Sequence, residues 1–261
     1  MTISLGNAIK CIKEDEKWIK KILVLGFVFL IMQITTSLIY KLTEPNITML
    51  ICAIIGIITP LWSLGFIFSS MTKTANSDKF KMAELNEPNL ILTGFKSCFA
   101  ILGWGILNVI ILTIVGVLYA AIVGIAGAVI LGILGAIIGF ENQFLSICII
   151  VFSSILGILF ALYFAQFVNA AFACYLKRLK FNDLISFGKH LLVILENKHA
   201  SWTLVGKMIL FSLAYIAIIL GLTFSIIGIL LLPFVIPTAY FVAYNLLVQY
   251  SKEIEIEKYL Q

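Results

Sequence analysis

An uncharged stretch from Ser97 to Phe140 constrains this chain more than any other feature. Lys96 and Glu141 close the stretch at its two ends. A helix that crosses a bilayer needs about 20 apolar residues, so the stretch exceeds the length of one crossing. A soluble domain has no place to bury such a run as a single element. The sequence therefore predicts an integral membrane protein.

The composition of the whole chain indicates the same class. Hydrophobic residues make up 62% of the chain and charged residues 12%, whereas soluble domains have about 45–50% apolar and about 25% charged residues. The formal net charge of +5 fits the excess of lysine that marks cytoplasmic loops. We therefore expect the lipid bilayer as a partner and no nucleic acid.

The alternation of apolar segments and polar connections predicts an all-α, polytopic transmembrane helix bundle. We expect one membrane domain over 1–261, with its bundle at 22–250. Amphipathic surface helices and a glycine-rich segment, re-entrant or bent, should accompany the spans. The six net spans are predicted near 22–40, 47–70, 97–121, 144–176, 203–225 and 230–250.

The two ends of the chain are polar and are expected outside the bundle. Residues 1–21 mix both charge signs and predict a cytoplasmic surface helix, with Ile9, Ile12 and Trp18 able to enter the interface. Residues 251–261 predict a charged cytoplasmic tail that frays.

The distribution of basic residues decides the predicted number of crossings. Lys and Arg gather at the N-terminus, in 71–96, in 177–198 and in the tail. Because basic residues mark cytoplasmic loops, all four segments should share one side of the cell membrane. An even number of crossings follows, with both termini cytoplasmic. Residues 123–140 must then be re-entrant, lie along the outer interface or continue a bent third span. Seven spans with an external C-terminus is the competing count.

Small residues recur at every fourth position in the second half of the uncharged stretch. On a helix this spacing lines one face with almost no side chain, so another backbone can approach closely. We expect this face to pack against a second helix; accidental spacing in a glycine-rich run is the alternative. The stripe consists of Gly116, Ala120, Gly124, Ala128, Gly132 and Ala136.

Two amphipathic segments precede predicted spans. The first starts at Leu90, and the second places Phe181, Leu184, Ile185, Gly188, Leu191, Leu192 and Leu195 on one predicted face. Leu-Ile followed three residues later by Gly occurs in both, at 90–94 and 184–188. A parallel duplication of span, surface helix and span would explain this likeness, as would coincidence.

The predicted spans carry uncharged polar residues but no ionisable group near a span centre. Such groups would mark proton relays or ion paths, so proton-coupled transport is disfavoured. The polar residues could form an intramembrane site, or they could form interhelical hydrogen bonds worth roughly 0.6–2 kcal/mol each. We favour the hydrogen bonds. The candidate polar cluster is Asn108, Gln166, Asn169 and Asn245.

Sequence motifs of catalysis are missing from the chain. It has no G-x-x-x-x-G-K loop, H-E-x-x-H helix or G-x-S-x-G elbow. The five cysteines lack C-x-x-C spacing and are expected to be small buried residues. His190 and His199 are expected at the surface rather than as metal ligands. We therefore expect no enzyme, no metal and no cofactor.

Three regions resemble the prokaryotic membrane family catalogued as domain of unknown function 4013. They are Asp15-Glu16-Lys17-Trp18-Ile19-Lys20-Lys21, Leu85 to Lys96 with Gly94-Phe95-Lys96, and a C-terminal set with Phe181-Asn182-Asp183-Leu184, Leu231-Leu232-Pro233-Phe234 and Asn245 to Tyr250. The resemblance implies a multi-pass bacterial or archaeal membrane protein without assigned catalytic residues. Ser69 and Ser70 replace the basic residues usual after the second span, so no phosphate-facing role is expected there.

These observations favour a noncatalytic membrane component: a scaffold, an assembly factor or a stress-related protein. A second copy of the chain or other membrane proteins would be its partners. The alternative is a transporter or permease for a small or amphiphilic solute. The small-residue stripe and the prolines Pro60, Pro233 and Pro237 motivate this alternative.

Overall fold

The computed structural model describes residues 3–41, 47–77, 79–138 and 142–260. In these ranges the chain forms helices and no strand, which confirms the predicted all-α class. The elements are α1 (Leu5–Cys11), α2 (Trp18–Lys41), α3 (Ile47–Ala75), α4 (Leu90–Ile138), α5 (Asn142–Arg178), α6 (Phe181–Ile185), α7 (Phe187–Glu196), α8 (Lys198–Thr223) and α9 (Ile226–Glu253), with short 3₁₀ helices at Ile12–Glu14 and Ile256–Tyr259.

Six helices of the described chain are long and apolar enough to cross a membrane: α2, α3, α4, α5, α8 and α9. They confirm the predicted polytopic helix bundle. α4 is longer than expected, with 49 residues. No proline interrupts it, and glycine is tolerated in lipid because no water competes for the backbone. Residues 123–138 therefore continue the third span as helix; the rest of the segment up to 140 lies outside the described residues.

The chain packs into two compact units. The first comprises Met1–Ile101 and Gln166–Gln261, and the second comprises Leu102–Ala165. In the first unit, α9 packs against α1, α2, α3 and α8. Large buried side chains fill this core, including Phe66, Phe68, Tyr175, Phe241 and Leu246.

Aromatic contacts join the helices of the first unit. The Phe66 and Phe241 rings meet edge to face with centroids 6.2 Å apart, and Phe68 meets Tyr175 in the same way at 5.7 Å. Tyr175 also donates a hydrogen bond to Ser97 over 3.0 Å. Each aromatic pair contributes about 0.5–1.5 kcal/mol beyond the burial of its area, so these contacts tie α3, α4, α5 and α9 together.

α3 and α4 cross with their backbones in direct contact at Gly65 and Gly94. A Cβ atom added at Gly65 would lie 1.7 Å from the Leu90 carbonyl oxygen, and one at Gly94 would lie 1.7 Å from that of Leu61. Neither site has room for a methyl group. Close approach of this kind lets helices in lipid pack without a hydrophobic driving force between them.

The second unit pairs the remaining parts of α4 and α5. Tyr119 donates a hydrogen bond to the Ser153 carbonyl oxygen over 2.6 Å. The predicted small-residue face does not make this contact: a Cβ atom at Gly116 or Gly124 would meet nothing within 4 Å. A Cβ atom at Gly127, outside the stripe, would lie 3.5 Å from Ile149.

Within the chain, α5 therefore approaches α4 on the side of Gly127 and not at Gly116 or Gly124. Packing of the stripe against a second helix stays a prediction. Ala120 and Ala128 are exposed, and the surroundings of positions 132 and 136 lie outside what the structure describes.

Both polar ends of the chain also differ from expectation. Residues 3–21, the described part of the N-terminal segment, do not form one surface helix, because α1 ends at Cys11, a 3₁₀ turn follows and α2 starts at Trp18. Ile12 is buried rather than free to enter the interface. The tail does not fray: Ile254, Ile256 and Tyr259 are buried. These apolar residues alternate with charged ones in the tail, so the tail has an apolar face that is buried against the rest of the chain.

The second amphipathic segment is a bent pair of helices rather than one helix. Ser186, with φ −78° and ψ 68°, separates α6 from α7. Leu184 is buried, whereas Leu191 is exposed, so the predicted single face is wrong. Because the backbone breaks at Ser186, residues before and after it do not follow one continuous helical period.

Candidate functional site

Polar segments that are distant in sequence meet at one end of the first unit, here called the polar end. The Ile3 amide donates to Glu253 over 3.0 Å, and the Asn76 side chain donates to the Lys177 carbonyl oxygen over 3.1 Å. Tyr259 donates to Glu196 over 2.6 Å. These bonds join the N-terminal segment, the connection after α3, the connection after α5 and the tail. The four basic segments of the sequence therefore lie together.

An extended strap, residues 80–83, forms the centre of the polar end. Each of its backbone N–H groups donates to a side chain, alternately to a carboxylate of the N-terminal segment and to a hydroxyl of α3. The pairs are Phe80 with Glu14 at 3.0 Å, Lys81 with Thr74 at 3.1 Å, Met82 with Asp15 at 3.1 Å and Ala83 with Ser70 at 2.8 Å. Such bonds satisfy backbone groups that lack a helix or sheet partner.

Lys21, near the start of α2, binds the strap and the residue that follows it. Its side chain is 3% exposed, and the ammonium group lies 3.0 Å from Asp15 and 3.1 Å from Glu84. It also donates to the Met82 carbonyl oxygen over 3.4 Å. A buried charge is tolerated only when partners replace its water, and Lys21 has three. The lysine is thereby committed to holding the strap.

A second ionic group lies where α5 meets α6. Arg178 donates two hydrogen bonds to Asp183, at 2.7 and 3.1 Å. Asp183 is buried and His190 is 0% exposed. The Nε2 atom of His190 lies 2.7 Å from the Asp183 carbonyl oxygen. That oxygen can only accept, so Nε2 carries the proton.

His190 corrects the expectation of a surface histidine. Its Nδ1 atom is buried without a hydrogen-bond partner, and its ring meets Phe167 edge to face with centroids 5.2 Å apart. Burial lowers the pKa of the imidazole, while the Asp183 carbonyl and carboxylate raise it by a smaller amount. The ring therefore resists protonation. His199, in contrast, is exposed, as expected.

The predicted polar cluster is spread along the chain. Asn245 is buried and donates to the Ala8 carbonyl oxygen over 3.1 Å, so it ties α9 to α1. Asn108, in the second unit, donates within α4 to Trp104 over 2.7 Å. Gln166 is buried with its Nε2 atom unpartnered, and Asn169 is half-buried. Among the described hydrogen bonds, none joins two of these four side chains.

A half-open cavity of about 310 Å³ lies between α2, α3 and α9. On α3, Ser63 contributes a hydroxyl group to the cavity wall, and this group donates a hydrogen bond to the Thr59 carbonyl oxygen over 2.8 Å. The Tyr240 and Tyr244 rings stack along one wall with centroids 6.4 Å apart. The remaining lining is apolar, from Phe29, Met32, Pro60, Leu64 and Ile67. The cavity can hold a hydrocarbon chain or a small amphiphile.

The sequence analysis identified some of these residues as charged or polar but did not predict the contacts that they make. It placed Asp15, Lys21 and Asp183 among charged segments but gave no sign that they would be buried. It did not identify the strap, because hydrogen bonds from side chains to a distant backbone leave no periodic signal. Among the described residues, no group of three or more His, Cys, Asp or Glu side chains could hold a metal ion.

Comparisons with protein-family models, with curated proteins and with solved structures find no match to this chain. The resemblance to the domain of unknown function 4013 family stays a prediction.

Proposed function

We propose that this chain is a noncatalytic scaffold or assembly component of the cytoplasmic membrane. One observation carries the proposal: the buried charged groups of the polar end are bonded to the chain itself. Lys21 holds the strap, and Arg178 neutralises Asp183. Groups committed in this way stabilise a fixed surface and are not available for acid–base work on a substrate.

The polar end is suited to presenting such a surface. Four chain segments converge there and are held by hydrogen bonds between side chains and backbone. A fixed surface binds partners without the entropy cost of ordering its own segments. We place this end in the cytoplasm, since basic residues concentrate there, and we expect other membrane proteins or a second copy of the chain as partners.

The scaffold proposal is tested on the full chain in its native membrane. Photo-crosslinking from exposed polar-end positions, Lys13 and Lys79, should yield the same discrete partner from both sites, and native gel electrophoresis should show a complex of matching mass. Crosslinks to unrelated proteins, with the chain migrating as a monomer, would contradict the proposal.

A transporter for a small amphiphile is the second candidate, and the cavity between α2, α3 and α9 favours it. If the cavity carries a solute, Ser63→Trp should fill it and abolish flux into proteoliposomes. Ile57→Trp is the matched control, because Ile57 is an exposed residue of the same helix. If flux survives in Ile57→Trp and is lost in Ser63→Trp, the transporter becomes the better explanation and the scaffold proposal is wrong. If both variants show the same flux, the transporter proposal is wrong.

A further inference from the structure

α6 and α7 form a platform, residues 181–196, with two distinct faces. The inner face is buried and includes Leu184, His190, Val193 and Ile194. The outer face exposes large apolar side chains: Phe181, Leu191, Leu192 and Leu195 are 45%, 54%, 48% and 53% exposed. The three leucines occupy positions i, i+1 and i+4 of α7, which is one helical stripe. The platform therefore presents an apolar ridge outward.

Polar contacts at both ends hold the platform in place. At its start, Asp183 accepts two hydrogen bonds from Arg178 of α5. At its end, Glu196 accepts from Tyr259, and the Tyr259 hydroxyl accepts from the Asn197 side chain over 2.8 Å. α7 also packs against α8 and the final 3₁₀ helix. The orientation of the leucine ridge is thus fixed by the fold.

The charge around the ridge is positive on balance. Asp183 is buried and paired with Arg178. Glu196 is exposed and keeps its negative charge, because its partner Tyr259 is a neutral donor, but Lys180 and Lys198 outnumber it. Lys180 and Lys198, one on each side of the platform in the chain, are exposed. Neither has an ion pair among the described residues. The outer surface therefore combines exposed leucines with a net positive charge.

The platform leads directly into a span. Trp202, 39% exposed, lies near the start of α8, and tryptophan concentrates at the depth of lipid headgroups. Leu210 and Leu213 farther along α8 are exposed, as residues facing lipid would be. An apolar ridge at this point is suited to the boundary between headgroups and acyl chains.

We propose that the platform binds anionic phospholipid, with Leu191, Leu192 and Leu195 in the acyl boundary and Lys180 and Lys198 at the headgroup phosphates. Amphipathic helices bind an interface through buried apolar area together with attraction between basic residues and anionic lipid. Each lysine near such a surface adds to the preference for anionic over zwitterionic lipid. The partner is a lipid rather than free phosphate, because the leucine ridge offers an apolar contact that free phosphate cannot make.

The test uses the full chain in nanodiscs with equal amounts of phosphatidylglycerol and phosphatidylcholine. Leu192→p-benzoylphenylalanine is irradiated, and its lipid adducts are identified by mass spectrometry. We expect phosphatidylglycerol adducts in excess by roughly threefold to tenfold. The pair K180Q/K198Q, added to the same variant, should bring the ratio close to one. The matched pair K79Q/K81Q removes two exposed lysines elsewhere and should leave the excess unchanged; added inorganic phosphate should not compete.

Each remaining outcome overturns the proposal. No lipid adduct, or adducts with protein alone, would mean that the ridge faces something other than the bilayer. Equal adducts from both lipids would remove the anionic preference. An excess that K79Q/K81Q lowers as much as K180Q/K198Q would assign the preference to overall charge rather than to the platform.

Discussion

His190 shows how one side chain can acquire a property that its position in the sequence conceals. It lies beside Lys189 in a charged connection, yet the fold buries it between Asp183 and Phe167. With Nε2 donating, Nδ1 would need an acceptor on protonation, and it has no hydrogen-bond partner. Asp183 is the charged residue that acts on the ring, and its carboxylate is paired with Arg178. Protonation of the ring therefore opposes the folded state.

The direction of the resulting pH dependence follows from this burial. The unfolded chain protonates histidine near pH 6.5, whereas burial lowers the pKa of the folded imidazole. Below about pH 6.5 the unfolded state binds the extra proton, so the free energy of unfolding falls as the pH drops toward the folded pKa. From pH 6.5 to 5.5 the loss is at most about 1.4 kcal/mol. It is measured as the change in Tm in nanodiscs.

Two variants assign this pH dependence to His190. In His190→Gln the amide can still donate to the Asp183 carbonyl oxygen but cannot titrate, so the loss of Tm between pH 7.5 and 5.5 should shrink. His199→Gln, at an exposed position, should behave like the original chain. If His190→Gln retained the full loss, the buried imidazole would not be its source.

At the scale of elements, the crossing of α3 and α4 at Gly65 and Gly94 is the closest helix contact among the glycines described. The sequence drew attention to the stripe that starts at Gly116, where glycines alternate with alanines. Repetition in one helix does not require close packing; what matters is which residues two helices place opposite each other. Gly65 and Gly94 belong to different helices and share no repeat.

Gly65→Ala should destabilise the protein, because the added Cβ would meet backbone atoms that cannot rotate away. The expected loss is about 1–3 kcal/mol, typical of overpacking in a tight contact. Unfolding by denaturant in detergent micelles measures the free energy. Gly56→Ala is the control, since its Cβ would meet nothing within 4 Å. Equal stability of the two variants would show that α3 and α4 do not cross at this point.

At the scale of the whole molecule, the polar end brings together segments that begin and end the chain. Ile3 bonds to Glu253 and Ser4 to Gln249, so both termini lie at the same end of the first unit. This arrangement agrees with the even number of crossings that the placement of lysine predicts. The assignment of this end to the cytoplasm remains a prediction.

Engineered cysteines in a cysteine-free background test this topology. Lys13→Cys and Lys258→Cys should react with a membrane-impermeant thiol probe only when the cytoplasmic face is open. Asn142→Cys, at the start of α5, should react only from outside. Labelling of Lys13→Cys and Lys258→Cys from opposite faces would contradict the even count, and labelling of both from outside would reverse the orientation.

The sequence by itself determined the class, the six apolar helices and the grouping of basic segments. These depend on properties that each segment carries alone: its length, its apolar content and its lysines. Tertiary structure decided that Lys21 and Asp183 are buried in ion pairs, that the tail packs through Ile254 and Ile256, and that Gly65 meets Gly94. Each of these features depends on atoms from a distant segment, and helical periodicity, which reports only neighbours three or four positions apart, carries no record of them.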